Sequence, residues 1–182
     1  VLSSAQADTT LVRQFPNGLK WIHRPVTHNR ILAFQLFIPG GVIHEPVDRS
    51  GITHLMTAAM VKGTPHRSAL ELAQEMEMLG ASFGVDAQPD AMAVGGQVTV
   101  DKWAKTFDLF EDVLLHPSFP EAEVDKERAA LLNAIHTNDE HIFSVAEERF
   151  RKEMFGGHPY GRPDEGTVES VSKLTRDDLA AW

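Results

Sequence analysis

The sequence predicts an α+β fold: a mainly antiparallel sheet of five or six strands with helices packed on one face. Two observations support this class. Segments with strand and helix patterns occur in blocks, with strands before helices each time, and do not alternate one by one. Two pairs of strand-like segments are also separated by short turn signals, Pro16-Asn17-Gly18 and Pro89-Asp90, which are typical of antiparallel hairpins.

The strands follow from alternating or continuous apolar residues between turn signals. Residues 30–39 are apolar enough to be a central strand, and Pro39-Gly40-Gly41 ends them. The predicted strands are residues 9–15, 19–23, 30–39, 81–88 and 92–100.

The first helix is predicted from Gly51 to a glycine stop at Gly63, and its apolar face is formed by Ile52, Leu55, Met56, Ala59 and Met60. Ser68 and Glu71 form a capping box for a second helix, which runs to Leu79 and ends at Gly80. The remaining predicted helices are residues 101–115, residues 121–137, a helix capped at Ser144 and a helix that starts at Thr175.

Two expectations concern the ends of the chain. Residues 1–8 contain Ala5-Gln6-Ala7, the small-x-small pattern of a signal-peptidase site, so they are interpreted as a signal-peptide remnant or a disordered N-terminus. This pattern favours a periplasmic or otherwise exported protein. Residues 9–182 form the predicted domain, and because the last helix stops at Trp182, the domain is expected to lack its C-terminal part.

Composition excludes several classes of protein. The chain has 17 basic and 26 acidic residues, a net charge of −9, and no basic run, which argues against nucleic-acid binding. It has no cysteine, so disulfides and thiol catalysis are excluded. No apolar run approaches the roughly 20 residues that a membrane-spanning helix needs.

Three short motifs are better explained by structure than by chemistry. Gly80-Ala-Ser-Phe-Gly84 has the spacing of a serine-hydrolase elbow, but a helix precedes it and a strand follows, the reverse of the required order. His136 and His141 are five residues apart across an Asn-Asp pair where the helix should end, so they do not form a helical zinc site. His44-Glu45 is interpreted as a surface pair.

The order of several further motifs resembles the pitrilysin/insulinase family of zinc peptidases, over about residues 10–182. Each motif alone is weakly specific, and the ordered set is specific. The motifs are Phe15-Pro-Asn-Gly-Leu-Lys20, Gly40-Gly41, Lys62-Gly-Thr64, Leu79-Gly-Ala81, Pro117-Ser-Phe-Pro120, Glu127-Arg128, His158-Pro-Tyr-Gly-Arg-Pro163, Gly166-Thr167 and Leu174-Thr175.

The resemblance implies a zinc site that this chain has lost. Active members carry His-x-x-Glu-His on one helix and a further Glu on a later helix, which supply three zinc ligands and a general base. The matching positions here are His54, Thr57, Ala58 and Ala134. Because two ligands and the base are absent, we expect no catalytic residue, metal ligand or cofactor in this chain, and zinc only in an active partner.

The resemblance also implies a strand that faces the peptide substrate. Active relatives tend to carry Asn-Ala on it, where this chain has Gly84-Val85. An edge strand can bind an extended peptide through its backbone, whatever its side chains. The candidate substrate-binding residues are Phe83, Gly84, Val85 and Asp86.

The resemblance therefore implies a non-catalytic subunit of a heteromeric zinc metallopeptidase, a heterodimer in which the chain helps to enclose a peptide beside an active subunit of the same family. Two alternatives stay open. An active zinc peptidase with unconventional ligands would bind zinc and cleave peptides by itself. A stand-alone peptide-binding or scaffold protein would bind peptides without zinc and without a peptidase partner.

Overall fold

A computed structural model describes residues 10–26 and 28–182, so the interpretation of residues 1–8 lies outside the described residues. The first element is an antiparallel hairpin of β1 (Leu11–Gln14) and β2 (Lys20–His23). Its turn has Gly18 at φ 88°, a left-handed conformation that favours glycine. The predicted Asn-Gly turn is therefore confirmed.

The other described strands form a three-stranded sheet of β3 (Ile31–Pro39), β4 (Ser82–Ala87) and β5 (Ala91–Thr99) in the order β3-β5-β4. β4 and β5 are antiparallel. The middle strand of this sheet is β5, and β3 lies at an edge. The predicted central position of residues 30–39 is therefore not found in this sheet. The α+β class with antiparallel pairing is confirmed. The five strands of the described residues are divided between a hairpin and this sheet.

Seven α-helices occur in the described residues, and none of them is long and apolar enough to cross a membrane. They are α1 (Ile52–Met60), α2 (Ala69–Leu79), α3 (Trp103–Leu115), α4 (Glu121–Glu140), α5 (Ile142–Phe155), α6 (Val168–Val171) and α7 (Arg176–Ala181). Short 3₁₀ turns span Val42–His44, Val47–Arg49 and Pro159–Gly161.

Local signals predicted the helix ends well where the cap is close in sequence. Ser68 and Glu71 form the predicted capping box of α2, and Gly80 ends that helix at φ 59°. Thr175 caps α7 as predicted. The predicted cap at Ser144 is wrong, since α5 begins at Ile142.

The predicted break near Asn138 is also wrong, because α4 continues to Glu140. The side-chain amide of Asn138 donates a hydrogen bond to a carboxylate oxygen of Glu165, at 2.9 Å. This contact with a distant segment stabilises a helical position that local propensity disfavours.

The helices pack on the face of the sheet that presents Phe83 and Val85. Val85 contacts the larger buried cluster, and Phe83 contacts the smaller one. Side chains alternate along a strand, so Gly84 and Asp86 lie on the opposite face. The larger cluster comprises Ile52, Leu55, Met56, Ala59, Met60, Phe119, Val124, Leu131, Ile135, Val171, Leu174 and Leu179. The smaller cluster comprises Leu72, Leu109 and Val113.

Candidate functional site: the cleft between α1 and α4

The N-terminus of α1 is capped by a buried carboxylate. Glu45 is only 3% exposed, and its two oxygens accept hydrogen bonds from the backbone N–H groups of Gly51 and Thr53, each at 2.8 Å. The interpretation of His44-Glu45 as a surface pair is therefore wrong for Glu45. The sequence hides this cap because the carboxylate comes from six residues before Gly51 and not from the position adjacent to the helix.

Later segments of the chain also hold the start of α1. Gly51 has φ 90°, and a Cβ at this position would collide with the backbone oxygen of Glu165. The hydroxyl of Ser170 donates to the carbonyl of Ser50 at 2.7 Å. The indole N–H of Trp182 donates to the hydroxyl of Thr53 at 3.1 Å. The position of α1 is thus fixed at its N-terminus by contacts that are distant in sequence.

Replacing the capping carboxylate should destabilise the fold. Glu45→Ala leaves two buried backbone N–H groups without an acceptor, and hydrogen bonds to a charged group contribute about 1.5–3 kcal/mol. We expect the free energy of unfolding to fall by about 3 kcal/mol, measured by urea denaturation. Asp48→Ala, at an exposed position three residues away, is the control and should change it by less than about 0.5 kcal/mol. Equal effects of the two substitutions would contradict the capping role.

α1 and α4 line an open cleft of about 200 Å³. The cleft contains three of the four positions that the sequence predicted as remnants of a metal site: His54, Ala58 and Ala134. It is lined by His54, Leu55, Ala58, Glu127, Ala130, Leu131 and Ala134.

The fourth predicted position, Thr57, does not line the cleft. Thr57 is 3% exposed, and its hydroxyl donates to the backbone carbonyl of His54 at 3.0 Å within the same helix. A hydroxyl in this arrangement satisfies its own hydrogen bond and has no pKa near neutrality, so it cannot replace a general base.

The cleft has two polar side chains. Nδ1 of His54 is buried and has no hydrogen-bond partner among the described residues. Glu127 forms an ion pair with Lys62 at 2.9 Å, and both side chains are partly buried. Glu127 precedes Ala134 by two helical turns and therefore shares its face of α4. That spacing could have identified it.

This donor set does not fit a catalytic zinc ion. Such an ion needs three protein ligands, and here Ala58 and Ala134 present methyl groups while Thr57 is turned away. Among residues 10–26 and 28–182, no three His, Asp or Glu side chains lie close enough together to hold a metal. His136 is exposed on α4 and does not line the cleft.

The predicted substrate-binding residues all lie on β4, at an edge of the three-stranded sheet. The N–H of Gln88 donates to the carbonyl of Ala91 at 2.9 Å, which fixes the alternation of hydrogen-bonded pairs along β4 and β5. Every second residue of β4 therefore directs its backbone groups away from β5. These residues are Phe83, Val85 and Ala87. No strand among the described residues pairs with this edge.

The remaining motifs have structural roles. Ser82 opens β4 directly after the end of α2, so Gly80–Gly84 is not a nucleophile elbow. In the Gly-Pro segment after α5, the hydroxyl of Tyr160 donates to both oxygens of Asp90, at 2.7 and 2.8 Å. The guanidinium of Arg162 donates to the carbonyl of Glu45 at 3.0 Å. This segment thus contacts both the β4–β5 turn and the residue that caps α1.

The protein-family model of the insulinase family, peptidase family M16, matches residues 25–168. The chain is 27% identical over 169 residues to an uncharacterized zinc protease of Mycobacterium tuberculosis, covering 92% of this chain and 38% of that protein. It is 22% identical over 173 residues to the mitochondrial-processing peptidase subunit beta of Caenorhabditis elegans, covering 95% and 38%.

Two solved structures share the fold. A peptidase M16 inactive domain from Pseudomonas fluorescens superposes with a TM-score of 0.90 at 22% identity, covering 95% of this chain and 42% of that chain. The periplasmic protease PqqL from Escherichia coli gives a TM-score of 0.83 at 16% identity, covering 94% and 20%.

This chain spans about two fifths of the length of the curated relatives that it matches. The family match extends over more than half of the chain, and the resemblance read from the sequence motifs is confirmed. The chain therefore belongs to the insulinase family of peptidases, peptidase family M16.

Proposed function

We propose that this chain is a non-catalytic subunit of a heteromeric zinc metallopeptidase, which encloses the peptide substrate beside an active partner of the same family. The observation that carries this proposal is the α1–α4 cleft, where methyl groups of Ala58 and Ala134 stand in place of two metal ligands. Zinc and the general base would come from the partner. The name of the Pseudomonas fluorescens relative, an inactive domain, is consistent with such a role.

The edge of β4 supports the peptide-binding part of the proposal. The outward backbone groups of Phe83, Val85 and Ala87 can pair with an extended peptide in the way that a strand adds to a sheet. A Cβ on Gly84 would meet no atom within 4 Å, so the face of β4 beside this edge is open at that point.

The first experiment is affinity purification of the tagged protein from its own cells, followed by mass spectrometry, zinc analysis and a peptide-cleavage assay with and without chelator. The expected result is a stoichiometric M16 partner with an intact His-x-x-Glu-His that carries the zinc. Peptide binding without a partner or zinc would support a stand-alone binding protein instead. Zinc and chelator-sensitive cleavage with this chain alone would overturn the proposal.

Removing one outward N–H from β4 should weaken peptide binding. Val85→Pro deletes a donor that is not used in pairing with β5, and proline is tolerated on edge strands. Val85→Ala keeps the N–H. Like Val85→Pro, it removes the valine side chain that packs against the larger cluster, so it is the matched control. By fluorescence anisotropy with a labelled extended peptide, we expect Val85→Pro to bind at least about 5-fold more weakly than Val85→Ala. Equal affinities of the two folded variants would contradict binding at this edge.

We also propose that the protein is exported. The pattern Ala5-Gln6-Ala7 supports this proposal, and PqqL is described as a periplasmic protease. Cell fractionation with compartment markers would test it, and recovery of the protein only with cytosolic markers would contradict it.

A further inference from the structure

The first observation is that part of α1 is accessible, although most of this helix is buried. Every residue of α1 from Ile52 to Met60 is buried except His54 and Ala58, which are partly accessible. These two residues are one turn apart, so they lie on the same side of the helix. Both line the α1–α4 cleft. The two partly accessible residues of α1 are therefore both open to a ligand in this cleft.

The second observation is the chemistry of the lining. Five of its seven residues are aliphatic: Leu55, Ala58, Ala130, Leu131 and Ala134. The carboxylate of Glu127 is already paired with Lys62, and the imidazole of His54 is the remaining polar group. A cleft with these walls favours an apolar group over a hydrated cation, because burial of apolar surface is favourable and a cation would lose water without gaining ligands.

The third observation links the cleft to β4. Val85 packs against the larger buried cluster, and that cluster includes Leu55 and Leu131 from the cleft wall. β4 also contacts α1, the helix that forms one wall of the cleft. A peptide paired with that edge presents alternate side chains to its two faces, so every second side chain is directed towards the helices.

We propose that the α1–α4 cleft is a specificity pocket, which accepts one large apolar side chain, such as leucine, methionine or phenylalanine, from a peptide bound at the edge of β4. The proposal rests on the peptide-binding function proposed above. In this chain the loss of the metal ligands has produced a hydrophobic subsite. The chain selects substrates by an apolar side chain of the bound peptide, and the partner carries out the zinc-dependent cleavage.

The test uses labelled extended peptides that are identical except for one central residue: glycine, leucine, phenylalanine or lysine. The leucine and phenylalanine peptides should bind at least about 10-fold more tightly than the glycine peptide, since full burial of such a side chain contributes that much or more. Ala134→Leu fills the cleft and should reduce this preference to below about 2-fold. Ala129→Leu, exposed on the same helix and outside the cleft, should keep the full preference.

The outcomes separate this proposal from the function on which it rests. Equal binding of all four peptides by the unchanged protein would overturn the pocket and leave peptide binding at β4 intact. Tightest binding of the lysine peptide would also overturn it, because Glu127 would then bind a basic side chain of the peptide in the cleft. Absence of binding to every peptide would overturn both. Circular dichroism melting curves of the Ala134→Leu and Ala129→Leu variants exclude misfolding as the cause of any loss.

Discussion

The double variant Ala58→His, Ala134→Glu is expected to bind one Zn²⁺ per chain, at least about 100-fold more tightly than the unchanged protein. His54, Ala58 and Ala134 line one cleft from two packed helices, so the new side chains would complete a set of three ligands with an open position. The expected effect is large because the loss of even an outer hydrogen-bond partner weakens metal binding 10- to 100-fold. Isothermal titration calorimetry and metal analysis after gel filtration measure it.

The matched control is Ala58→His, Ala129→Glu, in which the carboxylate lies on the same helix outside the cleft. It should bind zinc no more than about 10-fold more tightly than the unchanged protein, because two histidines alone make an incomplete site. If the Ala134→Glu double variant folds and binds no more zinc than this control, the cleft is not the remnant of a metal site.

Asp112→Ala is expected to lower the free energy of unfolding by about 3 kcal/mol. The carboxylate of Asp112 is 9% exposed and joins α3 to the segment before α2. It accepts a hydrogen bond from the hydroxyl of Thr64 at 2.8 Å and another from the guanidinium of Arg67. Breaking a buried pair costs about 3–5 kcal/mol, and the lower end applies here because Arg67 is 26% exposed. Urea denaturation measures the change.

Glu75→Gln is the control, because Glu75 pairs with the same Arg67 and is 39% exposed. It should cost less than about 1 kcal/mol. A second check is the pH dependence. Burial opposes ionisation of Asp112, but the hydrogen bonds from Thr64 and Arg67 outweigh it and hold its pKa below the ordinary 3.8. Its contribution is therefore present above about pH 4 and is lost as pH falls through the lowered pKa, so acid destabilisation should be shallower in Asp112→Ala. An unchanged slope would contradict this account.

Features fixed by neighbouring residues were predictable from the sequence. The capping box at Ser68, the glycine stop at Gly80 and the Asn-Gly turn depend on contacts within four residues. Features fixed by distant contacts were not. The continuation of α4 past Asn138 depends on Glu165. The middle position of β5 depends on its pairing with β3, a strand that is distant in sequence, as well as with β4.

Some features of the candidate site were likewise predictable from the sequence, and others were not. The resemblance and helical spacing predicted that His54, Ala58 and Ala134 belong together, and the structure brings them into one cleft. The sequence does not show which rotamer Thr57 adopts, so it could not predict that the hydroxyl donates to the carbonyl of His54. Nor could it predict the cap by Glu45, whose partners depend on the path of the intervening loop.

The close approach of Gly51 to the backbone of Glu165 has a consequence for synthesis of the protein. The two residues are roughly 114 positions apart, so at a typical rate of 5–20 residues per second roughly 6–23 s separate their emergence from the ribosome. During that interval α1, an apolar helix, has its Glu45 cap but lacks the later contacts at its start from Glu165, Ser170 and Trp182. We expect the nascent chain to depend on chaperones over this stretch, and to be released from them only when residues 160–182 have been made.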